Sequence, residues 1–218
     1  MRMRKKRHRE ERMARCADVW IQSPAGRGDW AAAFGRAAPL HIEIGCGKGR
    51  FITETALRHP ERNFVAVEKC PDVLLLAMEK TKLLEIPNIR FLMADASGLT
   101  ELFAPEEAER IYLNFSDPWP KASTAKRRLT APAFLAQYRQ VLCPGGSIHM
   151  KTDNRNLFAY SLNTFAESGF ALKNVTYDLH KDGSWDGVVT EYEATFMEQN
   201  LPIYRLEAYK ASENGTVD

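Results

Sequence analysis

The chain predicts an α/β fold: a mostly parallel sheet of seven strands with helices on both faces. Three observations carry this expectation. Short, nearly continuous apolar runs at residues 40–44, 63–67, 89–93, 110–115 and 147–151 have the pattern of strands buried on both faces. Stretches with helical spacing separate them. Glycines and acids gather just after the runs, where open α/β sheets bind their ligands.

The elements follow in order. Residues 31–38 form a short helix or a loop before the first strand. Residues 50–59 space Phe51, Thr55 and Leu57 for a helix that stops before Pro60. Residues 71–84 start with a proline and set Val73, Leu74, Ala77, Met78 and Leu84 along one side. Thr130 is placed to cap a helix running through Phe134, Leu135, Tyr138 and Leu142. Pro144-Gly145-Gly146 ends that helix. A helix near residues 157–167, a strand at 171–177, a helix from Thr190 and a last strand at 202–209 complete the alternation. This divides the chain into a basic arm and linker (1–30), one domain (31–210) and a polar tail (211–218).

Composition narrows the function. The 218 residues, 44% hydrophobic and 27% charged, suit one soluble domain. No apolar run is long enough to span a membrane, and the N-terminus lacks the apolar core of a secretory signal. Cys16, Cys46, Cys70 and Cys143 are scattered, as are the five histidines, so neither a disulfide framework nor a metal site is expected and a reducing cytoplasm fits. The formal charge of +2 conceals an asymmetry. Residues 1–15 carry a net +6, which leaves −4 for the rest. A basic arm of this kind points to a polyanionic partner or to a solvated terminus.

Two segments carry chemistry. Gly45-Cys46-Gly47-Lys48-Gly49 follows the first strand of the alternation and opens a helix, so backbone N–H groups can approach a ligand. Its third glycine comes one residue too early for the dinucleotide fingerprint. Glu68, at the end of the next strand, can accept both hydroxyls of a ribose. Asp95 and Asp117 end two further strands, and Glu43 precedes the glycine loop. Were all four carboxylates to meet, each pair about 4 Å apart would contribute roughly 4 kcal/mol at an effective dielectric near 20. That penalises a pyrophosphate and favours the sulfonium of S-adenosylmethionine. In this reading Glu43 shapes the loop at the methionine end, Glu68 holds ribose, and Asp95 accepts from the adenine amino group beside Ala96. The second segment is Ser116-Asp117-Pro118-Trp119-Pro120-Lys121, where two prolines stiffen a turn that presents a carboxylate, an indole and an ammonium. Trp119 is either a stacking wall for a base or an aromatic cap on the core. Lys126-Arg127-Arg128 then supplies cations beside it. His149 reads as a core histidine and Lys151 as a structural group at a strand end.

Taken together, Glu43 to Gly49, Phe64 to Glu68, Asn114 to Lys121, Lys126 to Leu129, Lys151-Thr152-Asp153-Asn154 and Thr190-Glu191-Tyr192-Glu193 resemble the bacterial tRNA (guanine-N7-)-methyltransferases. The resemblance implies a class I, Rossmann-like methyltransferase fold and methyl transfer from S-adenosylmethionine to N7 of a guanosine in the tRNA variable loop. It implies a cofactor site at Glu43, Gly45, Gly47, Glu68, Asp95, Ala96 and Asp117, with Asp117 also catalytic. It assigns the substrate to Lys121, Asp153, Thr190, Glu191, Tyr192 and Glu193, and RNA contact to Ser123, Thr124, Ala125, Lys126, Arg127 and Arg128. One departure stands out. Where the family has a basic residue and a histidine, this chain reads Ala122-Ser123-Thr124-Ala125. That weakens the loop's hold on RNA, for which the basic arm could compensate.

Two other readings remain open: a class I methyltransferase of small molecules or proteins, and a non-catalytic RNA-binding module on the same fold. The basic segments argue against the first and the intact acids against the second. Monomer and homodimer are both compatible with the sequence.

Overall fold

The computed structural model describes residues 6–22, 27–182 and 187–210. Arg2, Arg4 and Lys5 of the arm, linker residues 23–26 and the tail 211–218 lie outside the described residues. Eight strands form one sheet: β1 (Trp20–Ile21), β2 (Leu40–Ile44), β3 (Asn63–Glu68), β4 (Ile89–Met93), β5 (Ala108–Asn114), β6 (Leu142–Thr152), β7 (Phe170–Thr176) and β8 (Tyr204–Lys210). Their order is β1-β4-β3-β2-β5-β6-β8-β7. All pairings are parallel except those of β8, which runs antiparallel between β6 and β7.

Strand alternation sorts the core into two layers. Val65 and Val67 of β3 face one cluster with Leu135, Tyr138, Leu157 and Phe158. Phe64 and Ala66 face the other, with Phe51, Ile52, Leu74, Leu75 and Met78. The second layer is built by α3 (Arg50–Arg58) and α4 (Pro71–Leu83), the first by α6 (Pro132–Val141) and α7 (Arg155–Glu167). The swap of face follows from handedness. The chain builds outward from β2 to β3 to β4, then returns to start β5 on the other side of β2. Right-handed crossovers put the helices of the two halves on opposite faces. The reversal between β2 and β5 is therefore a switch point, where a crevice opens at the strand ends.

Two expected helix faces shift. Leu57 and Leu84 are exposed, and Ile52, Ala56 and Leu75 are buried in their place. Thr130 does not cap α6. Its Oγ1 is 2.8 Å from Ser161 Oγ in the core, and the helix starts at Pro132 with Ala131 before it. Pro144-Gly145-Gly146 lies within β6 rather than between helix and strand, at an irregularity in the pairing with β5. The helix through Tyr138 ends at Val141, and Leu142 already belongs to β6. Helix α2 (Trp30–Phe34) fills the place open to helix or loop, and the pattern does not mark α5 (Leu99–Leu102). The other predicted elements form within a few residues of their expected bounds.

The N-terminal segment is where structure and expectation differ most. Helix α1 (Arg9–Ala14) packs on α4, and β1 adds an eighth, parallel strand through Trp20↔Phe91 and Ile21↔Leu92. Arg12 grips Glu79 with two bonds of 2.7 and 2.6 Å, Arg9 Nη1 lies 3.5 Å from Asp72, and Lys82 meets Asp18 at 2.6 Å. Met13, Cys16 and Val19 enter the core. Part of the charge asymmetry is thus answered within the molecule, by the acids of α4.

Gly49 shows why this loop needs a glycine for packing. It has φ +79°, and a Cβ there would fall 2.8 Å from Ala77 Cβ on α4. Gly49→Ala is expected to destabilise the fold by about 1–3 kcal/mol through this overlap and the strained backbone. Denaturant unfolding checks it.

Candidate active site at the switch point

A cavity of about 630 Å³ opens beyond the carboxyl ends of β2 to β5. The acids come from three strand ends. Glu68 closes β3, and its two oxygens accept from Gly47 N (3.3 Å) and Cys70 N (2.9 Å). These bonds fix the carboxylate and leave its other lone pairs to the cavity. Asp95 follows β4 and accepts from Ser97 N at 2.9 Å. That bond, together with the charges of Lys69 and Arg127, holds its pKa below the usual carboxylate value. Asp117 follows β5 and is exposed to the cavity.

The loop after β5 is tightly shaped. Phe115 leaves the sheet at φ +51°, with its N–H donating to Lys151 O at 2.9 Å, and Trp119 sits at φ +40°. Such left-handed positions cost on the order of 1 kcal/mol or more each and need support from their surroundings. Arg127 lies 3.7 Å above the Trp119 ring, so a guanidinium covers a face that a base would otherwise use. Arg128 turns inward, donating to Pro118 O and Trp119 O at 3.0 Å each. Residues Ala122–Arg127 form a 3-10 helix begun by Thr124, which bonds back to Lys121 O.

Of the predicted residues, Gly45, Glu68, Asp95, Ala96, Asp117, Lys126 and Arg127 line the cavity. Glu43 does not. It is wholly within the sheet, where Oε1 accepts from Asn114 Nδ2 at 3.0 Å and Oε2 is buried with no hydrogen-bond partner. Burial pushes its pKa up to about 8, against the opposing pull of the Asn114 hydrogen bond and the charge of Lys151. The expected ring of four carboxylates is therefore three at the cavity and one behind it. Gly47 sits just off the lining and acts through its N–H to Glu68. Lys69, Asn114, Phe134 and Gln137 complete the walls. Nothing in the local pattern marks Lys69 or Gln137, whereas Asn114 lies inside the motif already singled out.

Lys121, Asp153, Thr190, Tyr192 and Glu193 lie outside the lining, and the side chain of Glu191 lies outside the described residues. Thr190 and Glu193 form a capping box at the start of α8 (Glu191–Glu198), as the Thr-x-x-Glu spacing suggests. Glu193 is fully buried, with Lys151 Nζ 2.6 Å from Oε2 and His180 Nε2 3.1 Å from Oε1. Lys151, at the end of β6, also donates to Val188 O at 3.0 Å. Burial lowers the pKa of this ammonium and Glu193 pulls it back up. Tyr192 reaches the cavity wall by packing its ring 5.3 Å from that of Phe115. Among the described residues, no group of three His, Cys, Asp or Glu is arranged to hold a metal ion.

The family described as "Putative methyltransferase" matches residues 37–206. A tRNA (guanine-N(7)-)-methyltransferase of Brevibacillus brevis is 55% identical over 183 residues, covering 84% of this chain and 86% of that protein. The enzyme of the same name from Bacillus subtilis is 46% identical over 208 residues, covering 95% and 98%. The chain belongs to the tRNA (guanine-N7-)-methyltransferase family. A solved structure of the 16S rRNA methyltransferase KamB superposes with a TM-score of 0.62 at 15% identity, covering 84% of this chain and 92% of that one. At that identity it bears on the fold alone, which is the class I methyltransferase fold.

Two outcomes are expected from the buried groups. Lys151→Ala strands the Glu193 carboxylate in the core and should destabilise the protein by about 3–5 kcal/mol in denaturant unfolding. Glu43 is raised from 4.5 in the unfolded chain to about 8 in the fold. The fold therefore retains a proton that the unfolded chain releases, and stability falls as pH rises across that interval. Glu43→Gln removes this loss. Its melting temperature relative to the parent should climb between about pH 5 and about pH 8.

Proposed function

We propose that the protein transfers the methyl group of S-adenosylmethionine to N7 of a guanosine in the variable loop of tRNA, acting in the cytoplasm. One observation carries the reading. In a chain of this family, Glu68, Asp95 and Asp117 come from three strand ends to one cavity at the switch point. The donor set suits this cofactor. The Glu68 carboxylate, held by two backbone N–H groups, fits a ribose diol. Asp95 and the Ala96 backbone fit the adenine amino edge, with Phe134 and Leu129 as the apolar wall. Gly45 leaves the approach clear at the methionine end, since a Cβ there would meet nothing within 4 Å.

Bound S-adenosylmethionine supplies an electrophilic methyl on a cationic sulfur. Guanine N7 bears an in-plane lone pair and no proton, so this chain needs no general base for the transfer. Its residues place the base in line and stabilise the positive charge that grows on the purine. Asp117, at the mouth of the cavity, serves that charge and can accept from N1–H and the 2-amino group. Lys121, Asp153 and the segment from Thr190 to Glu193 hold the guanosine, with Tyr192 nearest the cavity through Phe115. Glu193 contributes from behind, through Lys151 and the helix cap. Ser123 to Arg127 face the RNA, with Lys126 and Arg127 providing charge. Arg9 and Arg12 are committed to α4, so residues 6–15 add less to RNA binding than their composition suggests.

Incubating the protein with unmethylated tRNA and methyl-labelled S-adenosylmethionine should place label in 7-methylguanosine. Label in another nucleoside, or transfer only to protein or small molecules, would overturn the reading. Asp117→Asn should lower kcat by about a hundred-fold or more. Calorimetry with the cofactor alone separates that loss from lost cofactor binding.

A further inference from the structure

The loop from Ser116 to Pro120 carries a specific hydrogen-bonding problem. Pro118 and Pro120 have no N–H, and Trp119 between them is in the left-handed region. This stretch cannot form a regular backbone ladder, yet the carbonyls of Pro118 and Trp119 still require donors. Arg128 supplies both. The Nε and Nη2 edge of one guanidinium donates to Pro118 O and Trp119 O, each at 3.0 Å. Its Cζ lies 4.3 Å from the ring centre of Tyr160 on α7, and the next anchor, Thr130 to Ser161, is on the same helix. Its neighbour Arg127 also covers an aromatic ring, that of Trp119, but it is exposed and lines the cavity.

We propose that Arg128 is a positioning residue for the Asp117 loop rather than an RNA contact. It closes residues 118–128 into a rigid staple, clamps the staple to α7, and so fixes the direction in which Asp117 faces the cavity. Its catalytic consequence rests on the function proposed above. The geometry makes a further demand: only a planar two-donor group can satisfy both carbonyls while stacking on Tyr160. A lysine keeps the charge but not the fork.

The test compares the full chain with Arg128→Ala, Arg128→Lys and Arg127→Ala. The first readout needs no activity. Fluorotryptophan-labelled protein is studied by fluorine NMR, with the Trp119 resonance assigned through Trp119→Phe. Arg128→Lys should shift and broaden that resonance and leave those of Trp20 and Trp30 in place, which also reports a retained fold. The second readout is kinetic. At saturating tRNA, kcat should fall about ten-fold or more in both Arg128 variants, while the slope of tRNA affinity against salt stays that of the parent. Arg127→Ala should reduce that slope by about one. An unmoved Trp119 resonance would overturn the proposal. So would a lysine variant with parental kcat beside an alanine variant whose salt slope drops by about one, since that pair marks a phosphate contact. If the parent methylates no tRNA, the functional reading fails separately and the resonance alone decides the role of Arg128.

Discussion

The hydrogen bond between Asn114 and Glu43 spans the place on which the site depends. Backbone pairing between β2 and β5 ends at Glu43↔Tyr112, although both strands continue beyond it. From there the two chains go to opposite faces of the sheet, one through the glycine loop into α3 and the other through the Asp117 loop towards α6. The side-chain bond holds the two strands together where the backbone no longer does. The cavity begins directly above, with Asn114 in its wall. A carboxyl at this point is costly to bury as an anion, and its raised pKa means that it can remain neutral there. The polar chemistry at the foot of the cavity therefore does not require a fourth negative charge.

The walls of the cavity carry both signs. Acids project from the strand ends, whereas Lys69, Lys126 and Arg127 come from the segments that follow them. The function proposed above draws on both signs, the acids for a cationic sulfur and the cations for a polyanion. Arg127 and Arg128 hold adjacent positions with different surroundings, one at the cavity and one bonded to the carbonyls of Pro118 and Trp119. Sequence adjacency makes them look alike, and their backbone environment makes them different.

Fold and strand ends were legible because parallel strands buried on both faces leave a strong apolar signal. The three acids that line the cavity stood at the ends of those runs. What escaped the sequence depended on contacts distant along the chain. Nothing local marks Trp20–Ile21 as a strand, because it acquires that role only against Phe91 and Leu92. Glu43 reads as a cleft acid by position, but strand alternation and the reach of Asn114 turn it inward. Thr130 has the chemistry of a helix cap, yet Ser161 offers a buried partner and takes it. Lys151 and Glu193 lie 42 residues apart, and their pairing follows from the placement of β6 and α8 together.

The place of β8 in the sheet has a consequence for how the molecule comes into being. It is the last strand described in chain order, but it lies between β6 and β7, which do not pair with each other. During synthesis β7 has no strand partner until β8 emerges, so its backbone groups must wait, although Phe170 can already pack on Phe165 of α7. A nascent chain halted shortly before residue 204 would leave two open strand borders with a gap between them. The interval between the synthesis of residue 152 and that of residue 204 is therefore when these borders stand open to pairing with other chains.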